Sequence, residues 1–134
     1  MIRDRIIKKA GERITAHIRA RYSLVKVTPK QGLFNHNCHN NSVEFCRNNE
    51  GFGIVEAVCI EEGVPILHYL NDKDGVYYET TLGWRAVKLE YYVIRAIHES
   101  DYDFITNEFN RSQDSWLADF GKWYFKLFNI DRLL

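Results

Sequence analysis

The sequence predicts an α+β domain in which helices pack on an antiparallel sheet of three to five strands. Apolar residues recur at helical spacing from Ile2 to Ile18, β-branched and aromatic runs separated by turn residues fill the stretch from Phe52 to Ile97, and the texture turns helical again from Ser100. With 134 residues, 46% of them hydrophobic, the chain can bury one core and is too short for two, so residues 1–134 read as a single domain.

The first helix runs from Ile2 to Tyr22, with Ile2, Ile6, Ile7, Ala10, Ile14 and Ile18 on one face and Lys and Arg on the other; Gly11 weakens it slightly. Tyr22 to Val27 alternates weakly and reads as a short strand or as the helix exit, and Pro29 and Gly32 then open a loop to Asn37. Asparagine is a good helix cap, and from Cys38 the positions Ser42, Val43, Phe45 and Cys46 give a short helix that stops between Arg47 and Gly51. Phe52 to Ile60 is the first long strand. Val64 to Leu70 and Val76 to Thr81 follow on either side of Asn71 to Gly75, whose Asp-Gly pair signals a hairpin. Leu89 to Ile97 is taken as a fourth strand, although an apolar run of this length also suits a buried helix. Ser100 caps a helix carrying Phe104, Ile105 and Phe109, and a second stretch, Gln113 to Phe128, brings Trp116, Leu117, Phe120, Trp123, Tyr124 and Leu127. Those side chains cover the sheet, at about 2 kcal/mol gained per large residue buried, or they meet a partner.

Lys plus Arg number 18 and Asp plus Glu 18, which leaves no net field to gather nucleic acid or anionic lipid. Basic residues concentrate between Arg3 and Lys30 and acidic ones between Glu44 and Asp74, an asymmetry that is either a solvated helix face or a means of orienting a partner. Tyr77, Tyr78, Tyr91 and Tyr92 alternate faces without basic support, so nucleic acid is not an expected partner. No apolar run has the length of a membrane span or the form of a signal peptide. An odd set of three cysteines, Cys38, Cys46 and Cys59, points to reduced thiols in a cytoplasm. Neither a phosphate-cradling loop nor a dinucleotide fingerprint occurs, and no cofactor is expected. His36, Cys38, His39 and Cys46 crowd together as a metal site would, but a structural zinc site usually carries a second ligand pair, and none follows. His17 and His98 have no assigned role.

The order of the chemical groups carries the functional expectation. A cysteine at a helix start gains from the positive end of the helix dipole and from unpaired amides, which lower its pKa and enlarge the reactive thiolate fraction. Cys38 is therefore the candidate nucleophile, His68 the candidate base and Glu79 the group that orients His68. His68 and Glu79 flank the Asp74-Gly75 turn and read as cross-strand neighbours, with Cβ atoms about 5 Å apart. An oxyanion site would use the Cys38 amide with a donor from Gln31, Asn35 or Asn37, and Asn41 is a further supporting residue. Cys46 and Cys59 lie on apolar faces and read as structural. A cysteine in a helix is also commonly a small core residue, and a histidine in an apolar strand a satisfied core group.

From Gly32 to Ile97, about half the chain, the sequence resembles small papain-like proteins, bacteriophage-encoded ones among them. Their pattern is a Cys-x-x-Asn-Ala helix start, a Gly-containing strand, a His-aromatic strand, Asp-Gly, and a strand bearing Asp-x-Thr. Here it stands as Cys38, Asn41 and Ser42, then Gly53, then His68 and Tyr69, then Asp74 and Gly75, then Glu79 and Thr81. Ser replaces Ala, Tyr replaces a frequent Trp, and Glu replaces Asp. The resemblance implies a papain-like fold, with an N-terminal helix and a Cys-bearing helix on the sheet and C-terminal helices closing it. It also implies a cysteine hydrolase or acyl transferase (protease, deamidase or amidase) acting on a protein, peptide or amide. Folds of this kind also persist without chemistry. The second expectation is thus an interaction module binding a host or virion protein, in the host cytoplasm if the chain is phage-encoded, through its basic first helix or its aromatic terminal helix.

Overall fold

The computed structural model describes residues 2–33 and 38–103, so the helices expected beyond Asp103 lie outside the described residues, as do Asn35 and Asn37. Helix α1 (Ile2–Arg21) follows the apolar spacing. Its Ala10, Ile14 and Ile18 are fully buried, and the helix lies against the strand that carries His68. Thr15 Oγ1 donates to the Gly63 carbonyl at 3.3 Å, tying the middle of the helix to the first hairpin turn. Among the described residues no helix is long and apolar enough to cross a membrane.

The chain continues through β1 (Leu24–Val25), β2 (Val27–Pro29), α2 (Cys38–Asn48), β3 (Gly53–Glu61), β4 (Val64–Lys73), β5 (Val76–Glu79), a 3-10 helix (Gly83–Lys88), β6 (Glu90–Ile97) and a short 3-10 turn (Glu99–Asp101). The strands form one sheet in the order β1-β6-β3-β4-β5-β2. The α+β class is as expected, and the run expected over Leu89 to Ile97 is strand from Glu90, but the sheet is neither wholly antiparallel nor limited to five strands. Six strands take part, and β2 runs parallel to β5, with Val27 opposite Tyr77 and Pro29 opposite Glu79. The two added strands are two and three residues long; β1 lies within the weakly alternating stretch from Tyr22 to Val27, while β2 runs into the expected loop at Pro29. Pro29 is tolerated because β2 is an edge.

The edges are β1 and β2, and a single residue, Lys26, separates them. Two residues of chain span at most about 7 Å, so the sheet must curl until its edges nearly meet, close to a barrel. Strand alternation then gives an inner and an outer face. Val27, Val55, Ala57, Cys59, Leu70, Ala86 and Tyr91 form the inner cluster; Val43 and Cys38 of α2 pack with Ile54, Tyr69 and Ile97 outside. Buried on both faces, β3 reads in sequence as an apolar run interrupted by Glu56, which accepts from Tyr69 Oη at 3.2 Å.

Tight turns set the strand register. Glu62 and Gly63, then Asp74 and Gly75, take positive φ in both hairpins, as an Asp-Gly turn demands. At the open end of β5 the segment 30–33 lies alongside 79–82: Lys30 N and Gln31 N donate to the Glu79 carbonyl, Leu33 N donates to that of Thr81, and Gly32 bridges Leu82. Gly83, at φ 54°, permits this approach, since a Cβ there would stand 3.0 Å from Gly32 Cα. Gly83→Ala is therefore expected to cost at least about 1 kcal/mol from positive φ alone and more from the clash. Gly63→Ala, at φ 79° with nothing within 4 Å, should carry only the conformational part; denaturant unfolding of both variants measures the difference.

Candidate active site

Cys38 opens α2, whose first turn contains no acidic residue, so the positive end of the helix faces no competing carboxylate of its own. The thiol is 7% exposed. The groups that act on it are the His68 ring, the His39 ring and the Tyr69 backbone. His68 sits on the inner face of β4 opposite the small Ala57 and is 4% exposed. Its Nε2 lies 2.8 Å from Glu79 Oε2 and 3.0 Å from Oε1. The three candidate residues are thus brought together, His68 bonded to Glu79 and charge-coupled to Cys38.

Glu79, fully buried at the end of β5, is held on every side. Its Oε1 accepts from Thr81 N at 2.9 Å and Leu82 N at 3.1 Å, where the chain folds back on its own carboxylate. Its Oε2 accepts from Tyr91 Oη on β6 at 2.6 Å. Glu79 and His68 are not facing neighbours as the sequence suggested. The β4·β5 ladder pairs Asn71 with Tyr78 and Lys73 with Val76, and continuing that register puts Leu70 opposite Glu79. The carboxylate reaches His68 along the diagonal, a path that suits the longer Glu side chain.

The rest of the motif fastens α2 to this strand end. Asn41, one turn after Cys38, donates from Nδ2 to Thr81 Oγ1 at 3.1 Å, so its amide supports the joint between helix and acid-bearing segment. Ser42 Oγ donates to the Tyr69 carbonyl at 3.3 Å. Buried Asn71 accepts from Thr80 Oγ1 at 2.7 Å and donates to the Ser42 and Gly53 carbonyls at 2.9 and 3.2 Å. Gln31 stands beside the Glu79 carbonyl and lines, with Leu33, Asn41, Glu44, Phe45, Asn48 and Asn49, a cavity of about 200 Å³ along the same helix.

Burial and charge act oppositely on these groups. Burial would raise the Cys38 pKa, but the positive charge of His68 and the hydrogen bonds from His39, His68 and the Tyr69 amide outweigh it and bring the thiol to about 6. For His68, burial favours the neutral ring, and the charges of Cys38 and Glu79 overcome this to raise it well above 6.5. Glu79 is pushed up by burial and held below its ordinary value by His68, Tyr91 and the Leu82 amide. The three shifts all favour the charged forms, thiolate, imidazolium and carboxylate. Cys59, with burial dominant, is pushed up to about 11, and burial also raises Cys46.

Two members of the site had not been singled out for catalysis. Tyr91 had stood out only as one of four strand tyrosines, because nothing in a single sequence pairs β6 with the acid. His39 had entered only as a metal candidate; adjacency to a helix-start cysteine was the available signal. Among the described residues no three His, Cys, Asp or Glu side chains are grouped as metal ligands. No family model, curated protein or solved structure matches the chain. Removing the Asn41 amide strands a buried partner, so Asn41→Ala is expected to lose about 1–3 kcal/mol of stability. Combined with Thr81→Val the losses should be non-additive, and a double-mutant cycle by chemical unfolding reads that coupling directly.

Proposed function

We propose that the chain is a cysteine hydrolase or acyl transferase with a papain-like site, acting on an amide or ester carbonyl of a protein, peptide or small amide. The observation that carries this reading is the buried His68–Glu79 pair, with Nε2 2.8 Å from the carboxylate, acting on the Cys38 thiol at the start of α2. A helix that begins at its cysteine, laid against a curled sheet with the histidine and the acid on successive strands, supports the papain-like layout.

In this mechanism the Cys38 thiolate attacks the carbonyl carbon, forming a C–S bond and moving the π pair onto oxygen. The oxyanion is met by the Cys38 amide at the helix start, with Gln31 the candidate side-chain donor among the described residues. His68 then gives its proton to the leaving nitrogen or oxygen, the scissile bond breaks, and a thioester remains. Water or an amine attacks that thioester, His68 takes the incoming proton, and the thiol is released. Glu79 keeps the ring oriented throughout.

A second reading is favoured by the low exposure of Cys38. A module that binds a host or virion protein can keep the thiol covered, and Trp84 and Val87, 60% and 73% exposed on the 3-10 helix, offer it an apolar surface. Alkylation by iodoacetamide separates the two, with mass spectrometry distinguishing the three thiols. An enzyme should label at Cys38 along a curve that rises through about pH 6, because the thiol is protonated below that value and thiolate above it. Cys59 should stay silent until strongly alkaline pH. In His68→Ala the Cys38 curve should move toward the free-thiol value of about 8.5. Slow labelling of Cys38 that ignores His68 would sink the catalytic reading.

A further inference from the structure

Glu79 receives donors of two kinds. The Thr81 and Leu82 amides on Oε1 are fixed by the local chain. The Tyr91 hydroxyl comes from another strand and meets Oε2, the same oxygen that lies 2.8 Å from His68 Nε2. Tyr91 is 1% exposed, and its ring also stands beside the imidazole, with centroids 6.2 Å apart. A packing role for that ring needs no hydroxyl. Yet the oxygen–oxygen distance of 2.6 Å is that of a charge-assisted bond to an ionised carboxylate.

The chemistry of the row of charges gives that bond a purpose. In a buried site a carboxylate against an imidazolium is prone to take its proton, leaving two neutral groups and a thiolate without a counter-charge. Each hydrogen bond donated to the carboxylate makes that transfer less favourable. Tyr91 also keeps the Oε2 lone pairs aimed, so that Glu79 cannot swing off the ring. We propose that Tyr91 is a positioning residue of this site, its hydroxyl holding the Glu79 carboxylate ionised and directed at His68 Nε2. This rests on the reading of Cys38, His68 and Glu79 as the catalytic groups.

The groups facing this cluster are few. His68 comes from β4, Cys59 from β3 and Cys38 from α2, while Arg85 of the 3-10 helix acts on Tyr91 from a distance and is itself paired with Glu61 at 2.6 Å. Burial holds the Tyr91 phenol well above its ordinary pKa of 10, so across the working range it donates and never accepts the site's proton.

Tyr91→Phe in the full chain tests the proposal. The alkylation midpoint of Cys38 is expected to move up by about one pH unit, which is roughly a ten-fold slower reaction at pH 5. At pH 7 the ¹⁵N-labelled His68 ring should change from imidazolium toward neutral. An unchanged or lowered midpoint would overturn the proposal whether or not the melting temperature falls, since packing alone would then account for the residue. If Tyr91→Phe does not fold, site-specific 3-fluorotyrosine at position 91 serves instead: its stronger donor should shift the midpoint down, and no shift would overturn the proposal. Where the unsubstituted protein labels fast at low pH and needs His68, but ignores the change at 91, only this inference falls. Where the unsubstituted thiol is slow and indifferent to His68, the catalytic reading falls and takes it along.

Discussion

A single buried carboxylate organises the described part of this molecule. Glu79 binds the imidazole of β4, the phenol of β6 and two amides of its own strand end, so three separate segments converge on one charge. A carboxylate buried this completely is tolerable only if it is paired and fully hydrogen-bonded, and breaking such a pair from one side typically costs about 3–5 kcal/mol. The inner face of the sheet therefore cannot shift register without abandoning the charge. That constraint acts together with the strand alternation that buries Val55, Ala57 and Leu70 in fixing how β4, β5 and β6 meet.

The helix side is fixed in a complementary way. Asn41 to Thr81 and Asn71 to the Ser42 carbonyl join α2 to the sheet through buried amides. A buried amide with all its partners in place adds about 1 kcal/mol per bond and penalises every alternative docking that leaves one unpaired. Since Thr81 gives its amide to Glu79 and its hydroxyl oxygen to Asn41, the carboxylate and the helix are referred to the same residue. The Glu-x-Thr and Cys-x-x-Asn elements of the sequence are thus two halves of one joint, and their spacing reflects where the helix must start for its thiol to meet the histidine.

Much of this was legible from the residues, and what was not has definable causes. The α2 helix, the Asp-Gly hairpin and the order of cysteine, histidine and acid depend on local signals: helical spacing, a positive-φ turn and strand alternation. Leu24–Val25 falls within the weakly alternating stretch from Tyr22 to Val27, but Val27–Pro29 left no such signal, because a strand this short is created by the pairing it enters. The diagonal reach of Glu79, the Tyr91 hydroxyl and the His39 contact with the thiol all depend on which strands or rings end up side by side. That information is tertiary, and a single sequence does not carry it.

The placement of the thiol on a helix, not on a strand, follows from the same electrostatics. Thiolate, imidazolium and carboxylate together carry one uncompensated negative charge in a site from which solvent is largely excluded. Sheets have little net dipole to offset it, whereas the first turn of α2 presents amide groups and roughly half a positive charge. With no Asp or Glu in that turn, the helix end is left to Cys38, and the first acid along α2, Glu44, points to solvent. The fold thus supplies a donor at each end of the row: the Tyr69 amide of β4 acting on the thiol, and the Thr81 and Leu82 amides with the Tyr91 hydroxyl beside the carboxylate. Between them His68 is the one group that must carry a mobile proton, and it is the one that no backbone dipole holds in a fixed protonation state.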